Sequence, residues 1–248
     1  MAVHLIEEAV FPICAFDMRG ELANARRLLG SGFFIDGDGH FLTAGHVATA
    51  FKGAKPGLFY RPDPINQPHL NRVAWIVEYE VGPSDLATGK VLIQTDRYFD
   101  QIGTASDIWM DVWACGYAES AVLLGGDRFI SPLRGLKGHI QRTIQDGLTD
   151  DLPVEGKVYE LSFPVPKGMS GSPLYRPRDG KLDLIGVCVA SRVAEMVDFE
   201  NLSIDENGNQ YNERKVRIEQ YGVATAIETA LDWTPAILGR PLRELMLG

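Results

Sequence analysis

Cysteine is scarce. The 248-residue chain has three, Cys14, Cys115 and Cys188. Their wide spacing, odd number and lack of any Cys-x-x-Cys pair exclude a disulfide framework and a zinc site of the usual ligand spacing. They read as small buried hydrophobes, and neither a metal nor a cofactor is expected. Positive charge is in deficit as well. Lys and Arg number 24 against 33 Asp and Glu, giving a formal net charge of −9 with no Lys/Arg-rich run, so nucleic acid is excluded as an expected partner. No apolar run approaches the roughly 18 residues of a membrane span. The start, "MAVHLIEEAVFPICAF", lacks the basic leader, long apolar core and small-residue cleavage site of a secretory signal. No membrane association is expected, and the chain reads as cytoplasmic.

Helical periodicity is the next shortage. The best helix-forming stretch is "TAIETALDWTPAILGRPLRELMLG", and Pro235 and Pro241 break it into a discontinuous C-terminal helix. Short β-rich runs fill the rest: "AVFPICAF", "GSGFFID", "HFLTAGHV", "VAWIVEYEV", "ATGKVLI", "DVWACGY", "KVYELSF", "LIGVCVASR" and "YGVATAI". Gly, Pro, Asp and Asn clusters separate them, the pattern of an all-β sandwich or barrel. "DGDGH", Asp36 to His40, reads as a hairpin turn. Two polar stretches interrupt the pattern. Tyr60 to Arg72 reads as a surface loop; Asp198 to Gln220 reads either as a protruding hairpin turning near Gly208 or as a disordered polar excursion. A break over residues 96 to 107 divides the chain into two halves of similar strand content.

Chemistry concentrates in "VPKGMSGSPLY", Val165 to Tyr175. Gly168 and Gly171 surround Ser170, and Pro173 stiffens the exit. Such a cluster is either an ordinary loop or a tight exposed turn whose N–H groups face an oxyanion. A serine nucleophile needs a base within hydrogen-bond reach. Of the five histidines, His46 ends an apolar strand in "FLTAGHVATAF", where the imidazole is presented at the strand end. His40 lies in the expected turn, His69 in the polar loop and His4 near the terminus, so these read as surface histidines; His139 retains a minor claim. Asp85, after "GPS", reads as a turn-capping residue when taken alone.

Taken together, "GSGFFIDGDGHFLTAGHV", "SDLATGKV" and "GMSGSPL" resemble, in order, the motifs of trypsin-like (chymotrypsin-fold) serine peptidases, and are most similar to the bacterial high-temperature-requirement-like and viral members. The resemblance runs from about Gly30 to Ile227. It implies an all-β fold of two packed six-stranded antiparallel β-barrels with a C-terminal helix. Residues 1–102 would form a first barrel carrying His46 and Asp85, and residues 103–248 a second carrying Ser170.

The order His, Asp, Ser is that of the family's triad. It implies His46 as general base, Asp85 as the acid fixing its tautomer, and Ser170 as nucleophile in a serine endopeptidase. Asp96, Asp107 and Asp111 fit the acid position less well. The N–H groups of Gly168 and Ser170 are implied as the oxyanion hole. Pro164, Val165, Val189, Ser191 and Gly222 are implied as the walls of the specificity pocket, which carries no carboxylate and is expected to be apolar, with Gly222 leaving room at its far side. Lys167 is placed on the rim or in solvent.

The chain also departs from the family. Met169 stands where the digestive members carry an acid, and Val47 where many carry a cysteine, so neither zymogen activation through a freed N-terminus nor the associated disulfide is implied. The expected partners are a protein or peptide substrate and a regulatory protein. The alternative is a catalytically silent double barrel that acts as a protein-binding or scaffold module.

Overall fold

The computed structural model describes residues 2–20, 22–61, 72–103, 107–121, 123–125, 128–130, 132–145 and 156–245. The expected loop from Tyr60 to Arg72, with His69, lies mostly outside the described residues. Apolar residues that alternate or run in short blocks form β1 (Val10–Arg19), β2 (Leu22–Phe34), β3 (His40–Ala44), β4 (Pro56–Tyr60), β5 (Arg72–Val81) and β6 (Leu86–Val91). These close into an antiparallel barrel in the order β1-β2-β3-β6-β5-β4. Phe11, Phe34, Phe41 and Leu58 fill it, each almost entirely buried. Burying a side chain of this size contributes about 1.5–3 kcal/mol. The "DGDGH" turn joins β2 to β3. Gly39 takes φ +84° there, and a Cβ would fall 2.5 Å from the Val91 carbonyl, so only glycine fits without strain.

The second half supplies β7 (Gln101–Ile102), β8 (Asp111–Tyr117), a separate hairpin of β9 (Leu123–Gly125) and β10 (Arg128–Ile130), then β11 (Leu133–Ile144), β12 (Val158–Leu161), β13 (Pro173–Arg178), β14 (Lys181–Ile204) and β15 (Gln210–Ala226). The sheet order is β13-β8-β11-β12-β15-β14, and pairing of β13 with β14 closes these six strands on themselves. β7 adds to β14 in parallel. The architecture is chymotrypsin-like. Phe33, Leu42 and Leu86 of the first barrel pack with Leu182, Leu184 and Val187 of the second in one buried cluster, so the barrels share a core.

Among the described residues, helix is confined to short pieces. α1 (Ala2–Ala9), which the sequence reading did not anticipate, precedes β1. α2 (Gly45–Thr49) is a single turn after β3. The expected C-terminal helix is reduced to a 3₁₀ turn at Ile227–Ala230 and one α-helical turn, α3 (Leu242–Leu245). Pro235 and Pro241 lie between the two, and neither can continue a helix from the residues before it. Among the described residues no helix is long and apolar enough to cross a membrane.

The stretch Asp198 to Gln220 is ordered as the outer part of a hairpin. β14 and β15 pair continuously from Gly186 with Ala226 to Ile204 with Gln210. They turn at Gly208, with φ +83°, and Asp205 receives hydrogen bonds from the Asn207 and Asn209 N–H groups.

Candidate active site

His46 lies in the first turn of α2, two residues past the end of β3, and not on the strand itself. Its ring is about half exposed, with the Asp85 side chain beside it. His46 Nδ1 is 2.8 Å from Asp85 Oδ2, and the His46 backbone N–H donates to Asp85 Oδ1 at 2.8 Å. A carboxylate only accepts, so Nδ1 carries the proton, and in the neutral ring the lone pair is on Nε2. Gly45 permits the approach: a Cβ there would sit 2.9 Å from Asp85 Oδ1.

The Asp85 loop is conformationally costly. Ser84 and Asp85 both have φ +57°, a region that non-glycine residues occupy at a cost of order 1–3 kcal/mol. Contacts from the second barrel hold it there. The buried Thr225 hydroxyl donates to the Ser84 carbonyl at 2.8 Å. Trp233 covers Gly82, where a Cβ would fall 2.5 Å from the indole, and the Ala236 N–H donates to the Glu80 carboxylate at 2.7 Å.

Ser170 sits in a tight turn between β12 and β13. Met169 N–H closes on the Pro166 carbonyl at 2.9 Å, with Gly168 at φ +93°, the position of a type II turn that demands positive φ. The turn is pinned to β2. Ser31 N–H donates to the Ser170 carbonyl at 2.8 Å. Ser31 Oγ donates to the Gly168 carbonyl at 2.9 Å and accepts from Tyr117 N–H. Both carbonyls therefore point inward, and among the described residues neither the Gly168 nor the Ser170 N–H has a protein acceptor. Met169, fully buried, anchors the loop in the second core. Gly30 and Gly171 make the docking possible. A Cβ on Gly171 would lie 2.1 Å from the Ser31 carbonyl, and one on Gly30 would lie 2.9 Å from the Ser170 carbonyl.

His46 and Asp85 come from the first barrel and Ser170 from the second, and the Ser170 turn docks on Gly30 and Ser31 of β2, but the Ser170 hydroxyl is not engaged with the histidine. The Ser170 hydroxyl donates to the Val189 carbonyl at 3.2 Å; among the described residues it makes no hydrogen bond to His46. Ser172 is fully buried. Ser31 was not assigned a role from sequence, although "GSG" contains it; its signal was a polar residue between two glycines on an otherwise apolar strand.

The pocket residues come together differently from expectation. Val165 and Val189 are buried, and Ser191 Oγ bridges the Val165 N–H and carbonyl at 2.7 and 2.8 Å. Gly222 does not leave room. Its N–H donates to the Phe163 carbonyl at 2.7 Å, and a Cβ would meet Val165 Cγ2 at 2.8 Å, so glycine serves close packing. Pro164 is half-buried at the entrance to this segment. Lys167 pairs with Glu119 at 2.8 Å on the surface. Asp183 is held by Arg176 and Arg178, which removes it as a countercharge for the pocket.

Two of the other histidines, His40 and His139, are otherwise engaged. His40 is bound by Asp36 at 2.6 Å, more enclosed than a surface histidine; His139 stacks on Trp109. Burial pushes the Cys14 and Cys188 thiols up to about 12, and Cys115 higher still, so all three are poor nucleophiles at neutral pH.

Solved structures share this fold over most of the chain. The active form of the Rv3671c protease from M. tuberculosis superposes with a TM-score of 0.53 at 20% identity, covering 91% of this chain and 79% of that one. The protease domain of MamO from Magnetospirillum magneticum gives 0.55 at 16%, covering 94% and 99%. The HtrA-type protease AlgW with a tripeptide gives 0.56 at 19%, covering 96% of this chain but 62% of that longer one. No curated protein sequence matches. The family model for the trypsin-like peptidase domain matches residues 30–187, a span that includes His46, Asp85, Ser31 and the whole Ser170 turn. By that match, over more than half its length, the chain belongs to the trypsin-like peptidase domain family.

Proposed function

We propose that the protein is a serine endopeptidase that hydrolyses protein or peptide substrates through an acyl-enzyme on Ser170. The observation that carries this reading is the pair of N–H groups, Gly168 and Ser170, that have no protein acceptor among the described residues in the turn bearing the Ser170 hydroxyl, together with the hydrogen-bonded His46–Asp85 pair. In the reaction, Ser170 Oγ attacks the scissile carbonyl and passes its proton to His46 Nε2. The oxyanion accepts from the Gly168 and Ser170 N–H groups, an arrangement whose single donors are worth about 10²–10³ in rate. Collapse breaks the C–N bond as His46 returns the proton to the leaving amine. Water, deprotonated by the same nitrogen, then releases the acyl group.

Reaching this geometry requires the Ser170 hydroxyl to leave the Val189 carbonyl and rotate towards His46. A substrate or a regulatory partner that competes for that carbonyl would drive the rotation. The closed contact between Gly222 and Val165 makes the pocket shallow and apolar, which favours small uncharged residues before the scissile bond; a buried Arg or Lys would lose hydration without a countercharge. A cytoplasmic setting belongs to the same reading, supported by the three free cysteines.

The orientation of the Ser170 hydroxyl equally favours a second reading, a silent double barrel that binds protein. A fluorophosphonate probe separates them. The peptidase labels at Ser170 and loses both labelling and turnover in Ser170→Ala, whereas a folded wild-type chain that never labels is the silent module.

A further inference from the structure

Ser84 and Asp85 share a turn that neither residue prefers. The Leu86 N–H donates to the Pro83 carbonyl at 3.0 Å across them, and the Gly82 N–H donates to the Leu86 carbonyl at 2.8 Å just outside. With φ +57° at both central residues, this is the type I′ form, which Asn-Gly or Gly-Gly enters without strain. Here no glycine stands at either place. Asp tolerates the left-handed region better than most residues, and serine has no such allowance.

The turn cannot relax and still deliver the acid. The Asp85 carbonyl accepts from the Gly45 N–H at 2.7 Å, Oδ1 accepts from the His46 N–H at 2.8 Å, and Oδ2 faces His46 Nδ1 at 2.8 Å. Turning Ser84 and Asp85 to negative φ rotates the peptide planes beside them and breaks this grip.

The rest of the turn is backed by the second barrel and by the chain that follows it. The Thr225 hydroxyl donates to the Ser84 carbonyl at 2.8 Å, and a Cβ on Gly156 would lie 2.7 Å from Ser84 Oγ. The Trp233 indole lies against Gly82, where a Cβ would fall 2.5 Å from the ring. Trp233 is itself fixed through its backbone: its N–H donates to the Ala230 carbonyl at 3.1 Å, and its carbonyl accepts from the Leu242 N–H at 3.1 Å. Its side chain packs against the same buried cluster as Leu86, the residue after Asp85. Further along, the Ala236 N–H donates to the Glu80 carboxylate at 2.7 Å, which ties the segment to β5 just before Gly82.

We propose that Trp233 is a positioning residue for the catalytic acid: its indole blocks relaxation of the Ser84–Asp85 turn to negative φ and so keeps Asp85 on His46. This rests on the peptidase reading above, because a positioned acid matters to the rate only where His46 carries protons. The bond between Glu80 and Ala236 serves the same end by holding the segment over the turn. A partly buried tryptophan has a plainer use as core filling, and the two uses differ in what they predict. Core filling predicts a loss of stability that leaves the rate of the folded molecules unchanged. Positioning predicts a loss of rate that Ser84→Gly repairs, since glycine holds a positive φ with no help from outside.

The test compares Trp233→Ala, Trp233→Phe, Glu80→Ala and Ser84→Gly, with Ser84→Gly also added to Trp233→Ala and to Glu80→Ala, at a temperature where each chain is folded. Steady-state kinetics on one peptide substrate give kcat and KM. Proton NMR of the full chain follows the His46 Nδ1–H, whose exchange with water the Asp85 bond slows. Trp233→Ala should lower kcat on the order of tenfold with KM within about twofold, and its Nδ1–H signal should vanish. Trp233→Phe, which still covers Gly82, should stay close to wild type. Glu80→Ala should lower kcat in the same way by a smaller factor. Adding Ser84→Gly should return most of the lost kcat and the Nδ1–H signal in both. If Trp233→Ala does not fold, Glu80→Ala with and without Ser84→Gly carries the same comparison.

Wild-type kcat and an intact Nδ1–H signal in the folded variants overturn the proposal. So does a loss that Ser84→Gly leaves unrepaired, because the effect then does not pass through the turn. If no chain, wild type included, cleaves any peptide while the Nδ1–H signal still vanishes in Trp233→Ala and returns with Ser84→Gly, the positioning stands and the peptidase reading falls.

Discussion

The Ser170 turn and the β14–β15 ribbon adjoin at Val189, yet different forces hold them. In the turn, Pro166 to Pro173, the carbonyls answer largely to residues remote in sequence: Ser31 ties down those of Gly168 and Ser170, Glu119 N–H that of Lys167 and Cys188 N–H that of Ser172, while Met169 and Ser172 are fully buried. In the ribbon beyond Arg192, partners lie across a single ladder, and Phe199, Leu202, Ile204 and Tyr211 face solvent. The turn is specified by tertiary contacts and the ribbon by its own register. Geometry in the first should be unforgiving; in the second, side chains should be freely exchangeable while backbone pairing is not.

Gly171→Ala should break this contrast most severely if it is wrong. The new methyl meets the Ser31 carbonyl and Thr43 Oγ1 at a backbone of φ +88°, so we expect a loss of about 3–5 kcal/mol from overpacking and strain combined, measured by denaturant unfolding. A loss below about 1 kcal/mol would show that the turn can relax away from β2. Ser31→Ala is milder. It leaves the Gly168 carbonyl and Tyr117 N–H without their partner, a cost of about 1–3 kcal/mol, and should lower kcat by at least about tenfold because the Gly168–Met169 peptide, which sets the spacing of the Gly168 and Ser170 N–H groups, loses its tie to β2. Unchanged kcat in the folded variant would remove Ser31 from the positioning of the site.

On the ribbon, Phe199→Ser should change global stability by no more than about 0.5 kcal/mol; a larger loss would mean that the ring covers something in solution. The smallest effect belongs to the tip. Hydrogen bonds from the Asn209 side chain and backbone hold the Asp205 carboxyl below its ordinary value. Its contribution is therefore present above the usual Asp range and lost as pH falls through the lowered value. Protection of the Asn207 and Asn209 amides, corrected for intrinsic exchange, should decline only below about pH 4, and Asp205→Ala should abolish that pH dependence.

Strand content was legible because apolar runs bounded by Gly, Pro and Asp leave little else for the chain to form. The convergence of His46 with Asp85 was legible through motif order. The Ser31 clamp was not, because its partners lie 86 and 137 residues away and a serine on a strand has no periodic signature. Gly222 misled for a related reason: a missing side chain signals either open space or close approach, and only the neighbouring Val165 decides which. α1 escaped notice because "AVHLIEEA" has helix formers but no capping residue or acid in its first turn. The C-terminal stretch had helical composition, but the docking of Trp233 and Leu242 against the barrels won over local propensity.

That docking imposes an order of events during synthesis. The Asp85 loop is translated in the first third of the chain, yet the groups that hold its left-handed backbone are Thr225, Trp233 and the Ala236 N–H. A nascent chain that has displayed His46, Asp85 and even Ser170 outside the ribosome still lacks the clasp on its acid. Hydrolytic competence should therefore arrive late and all at once, after the segment through Leu242 has emerged and crossed from the second barrel to the first. Until then the growing polypeptide is shielded from its own active site.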